Sequence, residues 1–271
     1  MVYGFTDSSP DGLLIVTRAL THLTWSQVDN LAKDPGVLIQ PIGAVEQHGH
    51  HLPLLTDTLI ADATVERALK YLDDSVPAWV LPTLPVSKSN EHSGYAGTLV
   101  LRAETLMAVL RDVASSVASA GFKRLLFVNA HGGNKALLEM LTRDLRAELG
   151  LLCFLASPTP LTEADQAALP LQEQRFGIHG GTVETSFVLA SNPELVQLDK
   201  AEPFYPAFPS EDLHLTAQPQ VAWLTRDWSP VGHFGDPTAS SAEQGEKYLD
   251  QAGRQLAATI NEVAYFEVAH G

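Results

Sequence analysis

The chain has 271 residues, enough for one large domain or two small ones, and its 45% hydrophobic content is ordinary for a soluble globular protein with a real core. With 32 acidic against 17 basic residues its formal charge is -15. Phosphate contacts need clustered Lys and Arg, so this balance argues against a nucleic-acid binder and against electrostatic attachment to a membrane surface.

Met1 to Asp11 lacks a basic region followed by an apolar one, so no signal peptide is expected. No 18-residue apolar run occurs, so no transmembrane helix is expected and a cytoplasmic location is the default. Residues 1–24 carry little information beyond a short helix start near Trp25, with Thr24 or Ser26 as its cap. Val37 to Val45 reads as a buried strand. It runs into Glu46-Gln47-His48-Gly49-His50-His51, and Asp57 follows at the start of a helical pattern that reaches Leu72. A carboxylate there suits the helix dipole.

Val76 to Leu84 reads as a second strand punctuated by prolines, followed by a polar loop, Ser87 to Gly97, that carries Glu91 and His92. Thr98 to Leu101 is a short extended piece. Ala103 to Ala120 is an amphipathic helix, with Gly121 placed as its C-terminal residue. Arg124 to Val128 is a strand ending in Asn129-Ala130-His131-Gly132-Gly133-Asn134, and Asn134 is expected to cap the helix from Lys135 to Leu149. Leu151 to Ala156 is a further strand. It contains Cys153, the chain's one cysteine, read as a small buried hydrophobe. A single cysteine forms no intrachain disulfide, which fits a reducing compartment.

Ser157 to Phe176 is loop-like and partly helical, and His179-Gly180-Gly181-Thr182 leads into a helix from Val183 to Ala190 with Thr182 as a candidate cap. Residues 199–238 form a long excursion rich in Pro and aromatics, of the kind that serves as a lid, a binding wall or an oligomer contact. A last helix runs from about Ser241 to Val268. Strand, loop and helix alternate, which predicts an α/β fold with a mostly parallel central sheet covered by helices on both faces. No internal repeat or linker divides the chain, so residues 1–271 are read as one domain. The polar motifs follow strand ends, where open α/β sheets bind their ligands.

The chemistry is concentrated there. Glu46 and His48 are two residues apart on an extended segment, so both side chains reach one side of it. Carboxylate and neutral imidazole are ligands for Zn, Mn or Fe, and the shortage of Cys excludes a thiolate site. Asp57 adds a carboxylate able to bridge two ions; His131 and Glu184 add ligands from two further elements. Three carboxylates and two histidines exceed the three protein ligands of a mononuclear zinc hydrolase, and they suit two divalent metal ions that share an activated water. His50 and His51 are further candidates, read as supporting or surface histidines. Glu91 and His92 either line a substrate pocket or belong to a solvated loop. The backbone N–H groups of Gly132 and Gly133 could face an oxyanion or a carboxylate. No Gly-x-Ser-x-Gly, Gly-x-Gly-x-x-Gly or Walker pattern occurs, so neither a serine hydrolase nor a nucleotide cofactor is implied.

These residues resemble the creatininase (creatinine amidohydrolase) family. The likeness is carried by Glu46-Gln47-His48-Gly49-x-His51-Leu52-Pro53 with Asp57, by Asn129-x-His131-Gly132-Gly133-Asn134, and by His179-Gly180-Gly181-x-x-Glu184-Thr185-Ser186. Ser89-x-Glu91-His92, Gly97-Thr98 and Gly235-Asp236-Pro237-Thr238 look like family features too. The resemblance implies a three-layer α/β/α sandwich and a binuclear centre. Glu46 and His131 would hold one ion and His48 and Glu184 the other, with Asp57 bridging and His179 moving protons. It also implies a small-molecule amide substrate, hydrolysed by a metal-bridging hydroxide, and a homo-oligomer, often a hexamer. Creatininase proper carries Tyr-Glu where this chain has Gly132-Gly133, and walls its substrate with tryptophans, whereas this chain has none between Trp79 and Trp223. The Gly-Gly form looks more like the family's formamide hydrolases and mycofactocin-associated peptidase. The expectation is therefore a metal-dependent amidohydrolase acting on a small cyclic amide, a formamide or an unusual peptide-type bond. The alternatives are a catalytically silent metal-binding assembly subunit and a binuclear phosphoesterase.

Overall fold

The computed structural model describes residues 18–158 and 161–268. Residues 1–17, which hold most of the lead-in and the segment read for a signal peptide, lie outside the described residues. In chain order the elements are α1 (Trp25–Asp29), β1 (Val37–Ile42), α2 (Thr56–Tyr71), β2 (Ala78–Val80), α3 (Ala103–Ser119), β3 (Arg124–Asn129), α4 (Lys135–Leu149) and β4 (Leu152–Ala156). Then come α5 (Glu163–Ala168), α6 (Leu171–Phe176), α7 (Thr182–Ser191), α8 (Thr225–Trp228) and α9 (Ala242–Tyr265). The strands pair in the order β2-β1-β3-β4, all parallel.

Alternate strand residues face opposite sides, and each side meets its own pair of helices. Val37, Ile39, Leu126 and Val128 pack with Val65 and Ala68 of α2 and Leu256, Ile260 and Val263 of α9. Leu38, Leu125 and Phe127 pack with Leu106 and Leu110 of α3 and Leu138, Leu141 and Leu145 of α4. The result is the expected three-layer α/β/α sandwich. No helix among the described residues is long and apolar enough to cross a membrane.

Some local expectations need correction. The second strand shrinks from Val76–Leu84 to Ala78–Val80. Pro82 has no N–H to give a ladder, and the chain rejoins the sheet edge only where Leu84 N donates to Pro41 O (3.0 Å). Asn134 occupies the cap position of α4 but makes no capping bond; its amide reaches Ser87 Oγ and Asn129 Oδ1 instead. Thr182 is the first residue of α7 rather than its cap. Its hydroxyl donates to Asp236 O (2.7 Å), tying the 199–238 excursion to α7. Thr24 caps α1 as expected, and Ser241 caps α9.

β1 and β3 are neighbours in register, with Ile42 opposite Asn129. Their C-terminal ends therefore release Gly43–His48 and Ala130–His131 side by side. Ala130 N still donates to Ile42 O (3.0 Å), which carries the register one step past the sheet.

Candidate metal centre

Five side chains from four places in the chain converge beyond these strand ends. Glu46 and His48 come from the exit of β1, Asp57 from the first turn of α2, His131 from the exit of β3 and Glu184 from the first turn of α7. Glu46, His48, Asp57 and His131 are all at most 4% exposed. Glu184 is less enclosed, with 26% of its side chain exposed. Asp57 sits between two groups. Its Oδ1 is 3.1 Å from His48 Nε2 and its Oδ2 is 2.9 Å from His131 Nδ1. Glu184 Oε2 is 3.7 Å from His48 Nε2, and Glu46 Oε1 is 3.4 Å from His131 Nδ1.

The histidine tautomers are set from behind. A carbonyl oxygen can only accept, so the ring nitrogen facing one carries the hydrogen. His48 Nδ1 donates to Glu46 O (3.1 Å), His131 Nε2 to Lys88 O (2.9 Å) and His179 Nε2 to Gln47 O (2.7 Å). In each case the other nitrogen is aimed at the carboxylates. Anchoring of the outer N–H by a carbonyl is how ligating histidines are oriented. Two carboxylate oxygens, Glu46 Oε2 and Asp57 Oδ2, are buried with no hydrogen-bond partner. Asp57 Oδ2 and His131 Nδ1 are thus close without hydrogen-bond alignment, as two ligands aimed at a common point would be. An orphaned buried carboxylate oxygen is costly unless a cation meets it. Ligand atoms of Glu46, Asp57 and His131 lie within 4.8 Å of one another, and so do those of His48, Asp57 and Glu184. The donor set therefore fits a pair of divalent ions.

Electrostatics agree with this geometry. Burial pushes the Glu184 carboxyl up to about 7, with the Asp57 and Glu46 charges adding to the shift. Burial lowers the His48 imidazole, but the charge and hydrogen bond of Asp57 and the charges of Glu184 and Glu46 outweigh it, leaving it raised to about 9. His131 is likewise raised well above the ordinary imidazole range by Glu46, Asp57 and Glu91, against the effect of burial. Without an ion, protons hold this anionic cluster together.

His179 behaves differently. Burial, then the neighbouring His92 and His48, push it well below the ordinary imidazole range. Its ring lies between theirs, with centroids 4.1 Å away on both sides. A neutral imidazole held this way keeps a bare Nδ1, 3.7 Å from Glu46 Oε1. That nitrogen also completes a third grouping with Glu46 and His48.

The remaining candidates are spread around this core. His92 is buried, with Nε2 3.3 Å from Glu46 Oε1, so it faces a carboxylate instead of an open wall. Glu91 Oε1 lies 3.5 Å from His131 Nε2, behind that ring. Gly132 is exposed, whereas a Cβ on Gly133 would fall 1.9 Å from Glu91 Oε1. His51 is buried and bonded through Nε2 to Gly180 O and Thr185 Oγ1, while His50 is exposed.

Sequence reasoning passed over Gln47. Its Nε2 donates to Gly232 O (2.6 Å) and to His92 Nδ1 (2.9 Å), and its Oε1 accepts from Gly49 N (3.0 Å). His92 must then carry its hydrogen on Nε2, toward Glu46. Thr225 Oγ1, 2.8 Å from His92 Nδ1, was missed too. The signals available for Gln47 were its place between two candidate ligands and within the Glu46–Pro53 motif.

The model of the Creatininase family, creatinine amidohydrolase, matches residues 21–260. The chain belongs to the creatininase family. It is 36% identical over 219 residues to a mycofactocin precursor peptide peptidase of Mycobacterium ulcerans, covering 79% of each chain. It is 30% identical over 262 residues to a creatinine amidohydrolase of Pseudomonas putida, covering 89% of this chain and 95% of that one. A crystal structure of creatininase superposes with a TM-score of 0.74 at 26% identity, over 91% of this chain and 98% of that one. Zn-Zn and Mn forms of creatininase superpose with TM-scores of 0.68, each at 27% identity and with the same coverage. The chain is thus a creatininase-like amidohydrolase, a hydrolase of C–N bonds.

Proposed function

We propose that this creatininase-family enzyme uses two divalent ions, Zn, Mn or Fe, to hydrolyse a formamide or an unusual peptide-type amide. The carrying observation is that Asp57 belongs to two of the three three-residue groups, one completed by Glu46 and His131 and the other by His48 and Glu184. When bound, such ions polarise a carbonyl and bring a water's pKa near neutrality.

The chain's own residues do the rest. Asp57 spans the two groups. Lys88 O, Glu46 O and Gln47 O fix the rings of His131, His48 and His179 so that none turns away during turnover. His179 is the proton carrier. Its Nδ1, left without a hydrogen by the bond from Nε2 to Gln47 O, takes a proton from the attacking water and gives it to the departing nitrogen. A cavity of about 220 Å³ opens beside His179 and Glu184. Leu161, Leu169, Ile178 and Val183 line it together with Gln166, Glu173 and Gln174, and no Phe, Tyr or Trp lines it among the described residues. A lining without Phe, Tyr or Trp favours an extended amide or a small formyl group over a flat ring held between aromatics.

The test is a metal analysis of purified protein joined to a hydrolysis screen on formamides, lactams and peptidyl amides. Two divalent ions per chain are expected, with activity lost on chelation and restored by Zn or Mn. Undiminished hydrolysis by a metal-free preparation refutes the reading.

A further inference from the structure

We propose that Glu173 is a positioning residue for the half of the metal centre that contains Glu184. This rests on the two-metal reading above. Glu173 lies in α6, lines the same cavity as Glu184, is hydrogen-bonded to none of the five proposed ligands, and is 4% exposed. Its partners are three neutral donors. Thr182 N donates to Oε1 (3.0 Å); Asp236 N (2.9 Å) and the Tyr205 hydroxyl (2.8 Å) donate to Oε2.

The surroundings are shaped to admit a carboxylate. A Cβ on Gly177 would stand 2.5 Å from the Glu173 carboxyl carbon, and one on Gly181 2.7 Å from Oε1. One on Gly235 would be 3.0 Å from both oxygens. Three backbone segments approach this one group because each presents a glycine. They are the turn before His179, the turn between His179 and α7, and the end of the 199–238 excursion.

The position of Glu184 follows from the second turn. Thr182, whose N–H is held by Glu173, starts α7, and Glu184 is two residues further along. Gly180 N donates to Glu184 Oε2 (2.6 Å), so two carboxylates bracket Gly180–Thr182 from opposite ends. The third segment closes the loop, since Phe234 N donates to His179 O (2.7 Å). Moving Glu173 therefore shifts the backbone that carries His179 and Glu184, while the exits of β1 and β3, with Glu46 and His131, are held by the sheet.

Glu173→Gln separates this from a general structural role. An amide keeps the shape but turns an NH2 toward at least one of the three donors, which places donor against donor. Metal-free wild type and variant are titrated with Zn against a competing chelator, and kcat and KM are measured after reloading. The expected result is a first ion bound as in wild type and a second bound about 10-fold more weakly or worse, with the loss in kcat rather than KM. Tyr205→Phe removes one donor of the three and should show a smaller weakening of the same ion. It also carries the test should Glu173→Gln fail to fold. Wild-type affinity for both ions in these variants overturns the proposal, and so does equal weakening of both ions. A wild type that binds only one ion refutes the two-metal reading instead. Glu173 is then judged by whether the variants weaken that ion without lowering the melting temperature of the metal-free protein.

Discussion

Adjacent glycines make opposite predictions. A Cβ on Gly132 would meet nothing within 4 Å. On Gly133 it would lie 1.9 Å from Glu91 Oε1, 2.5 Å from His131 Nε2 and 2.8 Å from Lys88 O. The Glu91 side chain is 15% exposed and can swing toward water. Lys88 O is backbone, and the His131 ring is bonded to it at 2.9 Å. For Gly133→Ala to reach ordinary contact the ring must retreat by about 1 Å, beyond the roughly 0.5 Å tolerance of a preorganised site. Loss of such a supporting arrangement costs about 10- to 100-fold in metal affinity. Overpacking adds about 1–3 kcal/mol of destabilisation, and each 1 kcal/mol lowers the melting temperature of a chain this size by about 2–4 °C. Gly132→Ala should leave ion binding and turnover untouched. The assay is competitive Zn titration with thermal melting of both metal-free variants. Wild-type ion affinity in Gly133→Ala, or equal damage in Gly132→Ala, refutes the reasoning.

Replacing His179 by Asn should reduce kcat by about 10²- to 10⁴-fold, the usual worth of a positioned proton carrier, with ion content retained. Loss of an ion from that variant would make His179 a ligand, as its grouping with Glu46 and His48 permits. Ion affinity should rise with pH and level off near pH 9, because His48 holds its proton to about 9 and a ligating imidazole must give it up. Calorimetry in buffers of different ionisation enthalpy reads the released proton. The metal-free protein should respond in the opposite sense. The folded pKa of His48, about 9, lies above its ordinary 6.5, and that of Glu184, about 7, lies above its ordinary 4.5. Their stabilisation is complete below the ordinary values and is lost as pH rises through the folded ones. Melting curves of the metal-free protein at pH 6, 7.5 and 9 check this, and a rise in melting temperature over that range would contradict it.

The layers of the fold were legible because they are local patterns. Helical spacing marks α3 and α4, and short apolar runs ending in polar motifs mark β1 and β3. The proposed ligands were legible because Glu46, His48 and Asp57 are crowded in sequence and the other two lie close to Gly-Gly pairs. What escaped was long-range polar bonding. Asn134 has the right residue type and place for a cap, yet a buried Ser87 and Asn129 compete for its amide. Gln47 joins Gly232 across 185 residues, and Glu173 joins Asp236 across 63. No periodicity records such partners. Only the glycines at 177, 181 and 235 hinted that something bulky had to be admitted.

The two groups of proposed ligands rest on different supports. Glu46 and His131 leave adjacent strands, and a short network fixes the second of them. Ser87 Oγ donates to Gly43 O, Asn134 Nδ2 donates to Ser87 Oγ and to Asn129 Oδ1, and Asn129 Nδ2 donates to His131 O. Glu184 has no strand behind it. It rides on α7, which α9 holds so closely that a Cβ on Gly245 would fall 1.8 Å from Ser186 O. Its turn depends on Glu173 and on the excursion that ends at Asp236. Residues from Leu161 to Glu184, Glu173 among them, line the cavity beside His179. If that cavity takes the substrate, changes that suit a different amide fall around Glu184 and not at the strand exits that carry Glu46, His48 and His131. On this arrangement, substrate choice can vary around Glu184 and His179 while Glu46, His48 and His131, which leave the strands, stay fixed by the sheet.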